Sequence, residues 1–331
     1  MTSVDRASQT RVAAQRQTPL LAMTVAGHGV KHLFNASFFV LVAALKDDMG
    51  LSNVAVGTLG TVRQVTGGLV NLPAGYVADR YSRQFVRVLV LTMAAIGVFL
   101  FAMGRAPSFA FVLVAASLVS ASITFWHPAA IGALSRAFHT RRGFAIALHG
   151  TGGSIGEMTG PLVAGLLLLA LTWRQVFQLA LAPALLMALL IALLLRGTPV
   201  EGAPVATRSY VQGLWKLVRR GPLLLVLAVA AAYSGTMAVV NTFLPVYLLE
   251  DLGYSSGVVG VYLALAQGAG VVSQPVMGHL SDRLGRKAVL VPALALLGLM
   301  VVAVYLTASG VLFVLALIGT GAFLFSLMAL V

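Results

Sequence analysis

The chain has 331 residues, of which 59% are hydrophobic and 9% charged, and its mean hydropathy is +0.96. A soluble globular enzyme would carry roughly a quarter of charged residues, and a disordered chain would be polar and highly charged, so both classes are excluded. A net charge of +13 would suggest nucleic acid in a soluble protein; here the placement of the charges gives another account. There is no cysteine, which removes disulfides and thiolate metal sites.

The apolar runs are unbroken for about 20 residues, the length that crosses roughly 30 Å of hydrocarbon as a helix, and they lack the alternation of a membrane β-barrel. The predicted fold class is an all-α polytopic membrane protein. Residues 1–19 are polar, carry Arg6, Arg11 and Arg16, and lack a signal-peptide core and cleavage site. They read as a cytoplasmic tail, with the first helix entered after Pro19. Ten spans follow, at about 20–45, 53–75, 86–104, 109–134, 143–170, 175–195, 223–249, 257–280, 288–308 and 311–331. The first six form an N-terminal half over 20–195. Residues 196–222 hold Arg196, Pro199, Glu201, Pro204, Arg208, Lys216, Arg219 and Arg220 and read as a cytoplasmic linker. Residues 223–331 form a second half of four helices.

With the N-terminus inside, the tail, the linker and alternate loops hold seventeen Lys and Arg, against Lys46, Arg105 and Arg174 on the other side. That asymmetry predicts a multi-pass inner-membrane protein with a cytoplasmic N-terminus. It also accounts for the net charge without nucleic acid.

At an offset of 203, Asp48, Gly50, Ser52, Val56, Gly57, Gln64, Gly67, Gly75, Asp79, Arg80 and Arg83 fall on identical residues: Asp251, Gly253, Ser255, Val259, Gly260, Gln267, Gly270, Gly278, Asp282, Arg283 and Arg286. Such a repeat points to a transporter built of two homologous halves in one orientation. Val331 falls on Pro128 of the first copy, inside its fourth helix, so two further helices are expected in a complete twelve-helix protein.

The repeated loop reads Gly75-Tyr76-Val77-Ala78-Asp79-Arg80-Tyr81-Ser82-Arg83-Gln84 and Gly278-His279-Leu280-Ser281-Asp282-Arg283-Leu284-Gly285-Arg286-Lys287. Glycine permits close helix approach, and the acid and basic cluster at helix ends can pair or meet a helix dipole. Both copies resemble the loop signature of the major facilitator superfamily (MFS). The resemblance covers residues 20–331 and implies two six-helix halves rocking around a midplane site, with Gly75, Asp79, Arg80, Arg83, Gly278, Asp282, Arg283 and Arg286 as a conformational switch. In the fifth span Gly152, Gly156, Gly160 and Ala164 lie four apart, with Pro161 following, so the small residues share one packing face. This run is similar to the helix-five motif of drug–proton antiporters, with Ala164 where glycine is usual. Phe125-Trp126-His127-Pro128, Arg142-Gly143 and His28 look like the fosmidomycin-resistance type of efflux protein. Two features depart from these relatives: His32 stands where an acid is usual, and Val114 to Ile123 lacks the helix-four arginine.

Charged groups at helix centres cost about 2.5–3.5 kcal/mol and need a reason. Lys31, His32, Arg63, His127, His149 and Glu157 lie within spans one, two, four and five, the helices that line the cavity in the resembled superfamily. Glu157 is the deeply placed acid. A carboxyl that meets a dry cavity and then a cation can load and release a proton, so Glu157 is the candidate proton carrier. Lys31, Arg63 and His32 outnumber it, which favours a small-molecule substrate with an anionic group; the Arg fork matches a carboxylate or phosphonate. The second half adds Gln267.

Gly152-Gly153-Ser154-Ile155-Gly156 spells a hydrolase elbow but lies inside a membrane helix, so no enzyme activity is expected. His28 and His32, four apart, lack a third ligand by spacing, so neither a metal nor another cofactor is expected. No nucleotide-binding loop occurs. The expectation is a monomeric secondary transporter in the lipid bilayer, a proton-coupled efflux antiporter. An organic-anion importer or exchanger is the alternative on the same fold, and a non-transporting membrane sensor is a distant one.

Overall fold

The computed structural model describes residues 3–198, 206–219 and 221–327. Pro199, Glu201, Pro204 and Arg220 of the expected linker, and Val331, lie outside the described residues. The described residues form helices and the turns between them: α1 Ser3–Asp48, α2 Asn53–Arg80, α3 Phe85–Gly104, α4 Phe109–Ala137, α5 Arg142–Leu167, α6 Trp173–Leu179, α7 Leu181–Leu194, α8 Thr207–Val218, α9 Gly221–Val246, α10 Ser256–Leu284, α11 Arg286–Thr307 and α12 Gly310–Ser326.

Among the described residues, each of the ten expected spans falls on helix. Among the described residues, seven helical stretches are long and apolar enough to cross a membrane: Gln17–Asp48, Ser82–Gly104, Phe109–Ala137, Trp173–Leu194, Leu223–Asp251, Ser256–Leu284 and Arg286–Thr307. The shorter Gly310–Ser326 is also apolar. α2 and α5 are long enough but dilute their apolar residues with Arg63, Gln64, Glu157 and many glycines.

Three boundaries differ from expectation. α1 starts at Ser3 and carries Pro19 within it rather than beginning after it. The sixth span is two helices meeting at Ala180, because Pro183 lacks the N–H that would bond back to residue 179 and its ring crowds that carbonyl. The linker contains a helix, α8, which the charge count had hidden.

Close packing divides the chain into two units, and the division runs through α1, α2, α5, the start of α6 and α8. The first unit holds residues up to Lys31, Thr61–Gly153 and Arg174–Lys216. Its core is Phe85, Leu89, Met93, Trp126, Ala130, Leu134 and Ile191, with Leu20 from α1. Small residues set its helix spacing: a Cβ on Gly97 of α3 would lie 2.6 Å from the Ala184 Cβ of α7. α1 and α5 meet as closely, since a Cβ on Gly29 would come within 3.0 Å of the Gly152 carbonyl.

The second unit holds His32–Gly60, Ser154–Trp173 and Leu217 onward. There α10 packs on α12, and Tyr233, Ala293, Leu297 and Leu324 form a core. Gly160 of α5 sits against α1, where a Cβ would lie 2.5 Å from the Leu33 carbonyl, and Ser37 Oγ donates to Gly160 O at 2.8 Å. α5 also touches α10: a Cβ on Gly260 would lie 2.6 Å from Pro161 O. Lys46 pairs with Glu250, and Trp173 Nε1 donates to Asp48 Oδ2 at 3.0 Å. The repeat is visible in the backbone. Gly50 and its equivalent Gly253 have φ of 59° and 68°, a left-handed conformation that favours glycine.

Candidate functional site

Several polar groups of the membrane-spanning helices pair with one another. In the second unit, His32 of α1 and Glu157 of α5 are joined by Nδ1 and Oε1 at 2.5 Å. Their side chains are 18% and 24% exposed, so the pair is half-buried. The pairing follows from the α1–α5 seam. Gly160 is buried against α1, and its lack of a side chain brings the two helices close enough for imidazole and carboxylate to meet.

In the first unit a basic cluster joins α1, α4 and α5. His28 Nδ1 lies 2.7 Å from the His149 carbonyl, and His28 Nε2 lies 2.9 Å from His127 Nε2. Lys31 Nζ approaches His127 at 3.1 Å (Nε2) and 3.3 Å (Nδ1). His149 Nδ1 is 3.1 Å from the Thr24 carbonyl, and its ring stacks on His28 with centroids 3.9 Å apart. Lys31 is wholly buried, and His28 and His149 nearly so. The indole of Trp126, also fully buried, fills the place where a side chain on Gly27 would stand.

The structure thus brings Lys31, His127 and His149 together around His28, and pairs His32 with Glu157. Arg63 is buried on α2, where its own carbonyl accepts from Ser120 Oγ of α4 at 2.7 Å. Gln267 is buried on α10. An apolar cavity of about 240 Å³ lies among Val239, Phe243, Tyr247, Val304, Tyr305 and Thr320. It holds none of the charged groups.

The two copies of the loop motif differ in their surroundings. Tyr210 of α8 donates to the Leu72 carbonyl at 2.8 Å, and its hydroxyl stands 3.1 Å from where a Cβ on Gly75 would be. The Tyr76 hydroxyl bonds Thr207 Oγ1 at 2.6 Å. Asp79 is within electrostatic reach of Arg136 at the end of α4. Gly278, by contrast, faces open space. Arg80 and Arg83 are exposed at the end of α2 and the turn after it, as are Asp282, Arg283 and Arg286 around the start of α11.

Two partners escaped the sequence reading. His28 sits one turn before Lys31, a spacing that placed it on the same face of α1 and could have marked it. The Lys46–Glu250 pair joins residues 204 apart, and no local pattern signals it.

The helical architecture, the internal repeat and the buried ionisable groups between helices are features of the major facilitator class. The sequence pattern of the Major Facilitator Superfamily matches residues 25–331, and the chain belongs to that superfamily. It is 29% identical over 255 residues to an MFS-type efflux pump of Mycolicibacterium smegmatis, covering 75% of this chain and 58% of that protein. It is 26% identical over 270 residues to the fosmidomycin resistance protein of Escherichia coli, covering 79% and 65%. It is 23% identical over 266 residues to the cis,cis-muconate transport protein of Acinetobacter baylyi, covering 74% and 61%. The chain therefore spans less than two thirds of the length of these relatives. The fold matches a bacterial homolog of the human lysosomal transporter Spinster, crystallised inward-facing and unoccupied, with a TM-score of 0.77 at 20% identity over 95% of this chain and 75% of that one.

Proposed function

We propose that the protein is a proton-coupled exporter of small molecules, working by alternating access across a bacterial-type inner membrane with its N-terminus in the cytoplasm. The observation that carries this reading is the half-buried His32–Glu157 pair. A carboxylate held by an imidazole inside the membrane gains and loses a proton as its surroundings change between dry and wet. Glu157 is the proton carrier in this reading and His32 its counter-charge. Similarity to an efflux pump and to a resistance protein supports outward transport. The repeat and the greater length of the relatives support two six-helix halves in the whole transporter, with residues 196–222 between them.

Arg63, with its fixed fork of donors, is suited to an anionic group on the substrate. The muconate relative supports the same substrate chemistry and favours a second reading, an organic-anion importer or exchanger on this fold. The repeated loops act as the conformational switch at the cytoplasmic ends of the helices. Gly152, Gly156, Gly160 and Pro161 provide the surface on which α5 turns against its neighbours.

The test uses the full-length protein in weakly buffered detergent. A panel of organic anions and lipophilic cations is added, and proton release is recorded for wild type and Glu157→Gln. Release triggered by one class and abolished in the variant is expected. Binding without release would give first place to the importer or exchanger, and release unchanged by the variant would remove Glu157 from the mechanism.

A further inference from the structure

We infer that α8 is a membrane-surface helix: its Val211–Trp215 edge enters the headgroup region of the bilayer, and Lys216 and Arg219 bind the phosphates of anionic phospholipids. That surface is the cytoplasmic one in the orientation proposed above, but the lipid contact itself does not rest on that orientation.

Two tethers keep α8 beside the spans. On one face Thr207 bonds Tyr76 and Tyr210 donates to Leu72 O, and both partners lie near the end of α2, which covers the second expected span. At the other end two arginines, Arg219 and Arg220, separate α8 from α9, whose apolar stretch from Leu223 is long enough to cross a membrane. A helix of twelve residues is about 18 Å long, so its whole length stays close to these two helix ends.

The rest of its surface is uneven. Successive residues turn by about 100°, which puts Val211 and Trp215 on one edge beside the docked face and Ser209 about 160° from Val211. Val211 and Trp215 are 57% and 60% exposed. An indole at a headgroup boundary buries its rings and leaves its N–H among polar groups, which is why Trp collects there. Lys216 adjoins Trp215 and Arg219 follows it by four residues, and both are exposed. Their apolar stems can lie along the bilayer while the charge reaches phosphate oxygens. Residues 207–220 contain no acid, so α8 carries no charge that a negative surface repels. A helix with an apolar edge bordered by basic residues binds a bilayer surface, and binds it more tightly when the lipid is anionic. A merely solvated basic face would account for Lys216 and Arg219 but would leave Val211 and Trp215 in water.

The contact reaches the first loop motif, because the Tyr210 hydroxyl stands 3.1 Å from where a Cβ on Gly75 would be. Lipid that holds α8 at the surface also holds Tyr210 on that motif. The equivalent Gly278 faces open space, so this coupling belongs to the first copy.

The test uses the full-length protein in vesicles of phosphatidylcholine, with and without phosphatidylglycerol. The chain has no cysteine, so Val211→Cys or Ser209→Cys can carry a single fluorophore whose emission moves to the blue in apolar surroundings. Adding phosphatidylglycerol is expected to shift the label at 211 to the blue and to leave the label at 209 unchanged. High salt is expected to reverse the shift, and Lys216→Gln combined with Arg219→Gln to abolish it. Emission at 211 that is the same in both vesicles overturns the proposal, as does an equal shift at 209. A shift that survives the double substitution overturns the assignment of Lys216 and Arg219 to the headgroups. The readout contains no transport step, and both leaflets of these vesicles hold the same lipid. Failure of the exporter reading, or a reversed orientation, would therefore leave the result as it is.

Discussion

At the scale of single residues, the glycines of α5 are the part of the design that space alone tests. Gly160 stands where a Cβ would be 2.5 Å from the Leu33 carbonyl, and its own carbonyl accepts from Ser37. Neither backbone can yield without separating the helices that hold His32 against Glu157. Overpacking of this kind costs about 1–3 kcal/mol. Gly160→Leu is expected to lower the thermal midpoint of the purified protein and to abolish any effect of Glu157→Gln on proton release. Gly150→Leu, on the same helix in open space, is expected to leave both unchanged. Equal loss in the two variants would show that α5 tolerates no bulk at all and that the seam is not special. The stripe was legible in the sequence because spacing by four survives without a fold. The pairing of Glu157 with His32 was not legible. Consecutive residues on α1 diverge by about 100° around the axis, and which of them meets α5 depends on helix rotation. Lys31 turns instead to His127.

At the scale of elements, the linker helix α8 is the part that composition concealed. Its basic residues and flanking prolines read as solvated loop. Yet Thr207, Tyr210 and Leu214 fall on one helical face, and the first two bond α2 at Tyr76 and Leu72. Proline and charge counts measure solubility, whereas docking depends on a single stripe of three or four positions. Tyr210→Phe removes the donor to Leu72 and keeps the ring against Tyr76, whose centroid lies 5.4 Å away. A net hydrogen bond of this kind is worth about 0.5–1.5 kcal/mol. The expected outcome is faster proteolytic cleavage within 196–222, by up to about tenfold at the upper end of that energy, with the helical content unchanged. An unchanged cleavage rate would mean that ring packing alone holds α8 on α2.

At the scale of the whole molecule, the helical fold and the family were legible from apolar runs and one repeated loop, since both are properties of sequence spacing. Orientation rests on a different physical basis, the uneven placement of Lys and Arg on alternate connections. Because the chain has no cysteine, it offers a direct test. Single cysteines replace Pro107, exposed between α3 and α4, and His139, exposed between α4 and α5. The connection at 105–108 carries one basic residue, Arg105, whereas Arg136, Arg141 and Arg142 flank His139. A membrane-impermeant maleimide added to intact cells is expected to label Pro107→Cys, and to label His139→Cys only after the membrane is opened. These loops lie at opposite ends of α4, so the two results are not independent of the fold: labelling of both in intact cells would mean that α4 does not span. Labelling of His139→Cys alone would reverse the orientation. The repeated basic loops would then face outward, where the charge asymmetry disfavours them, and the proton gradient would act on the His32–Glu157 pair from the opposite side.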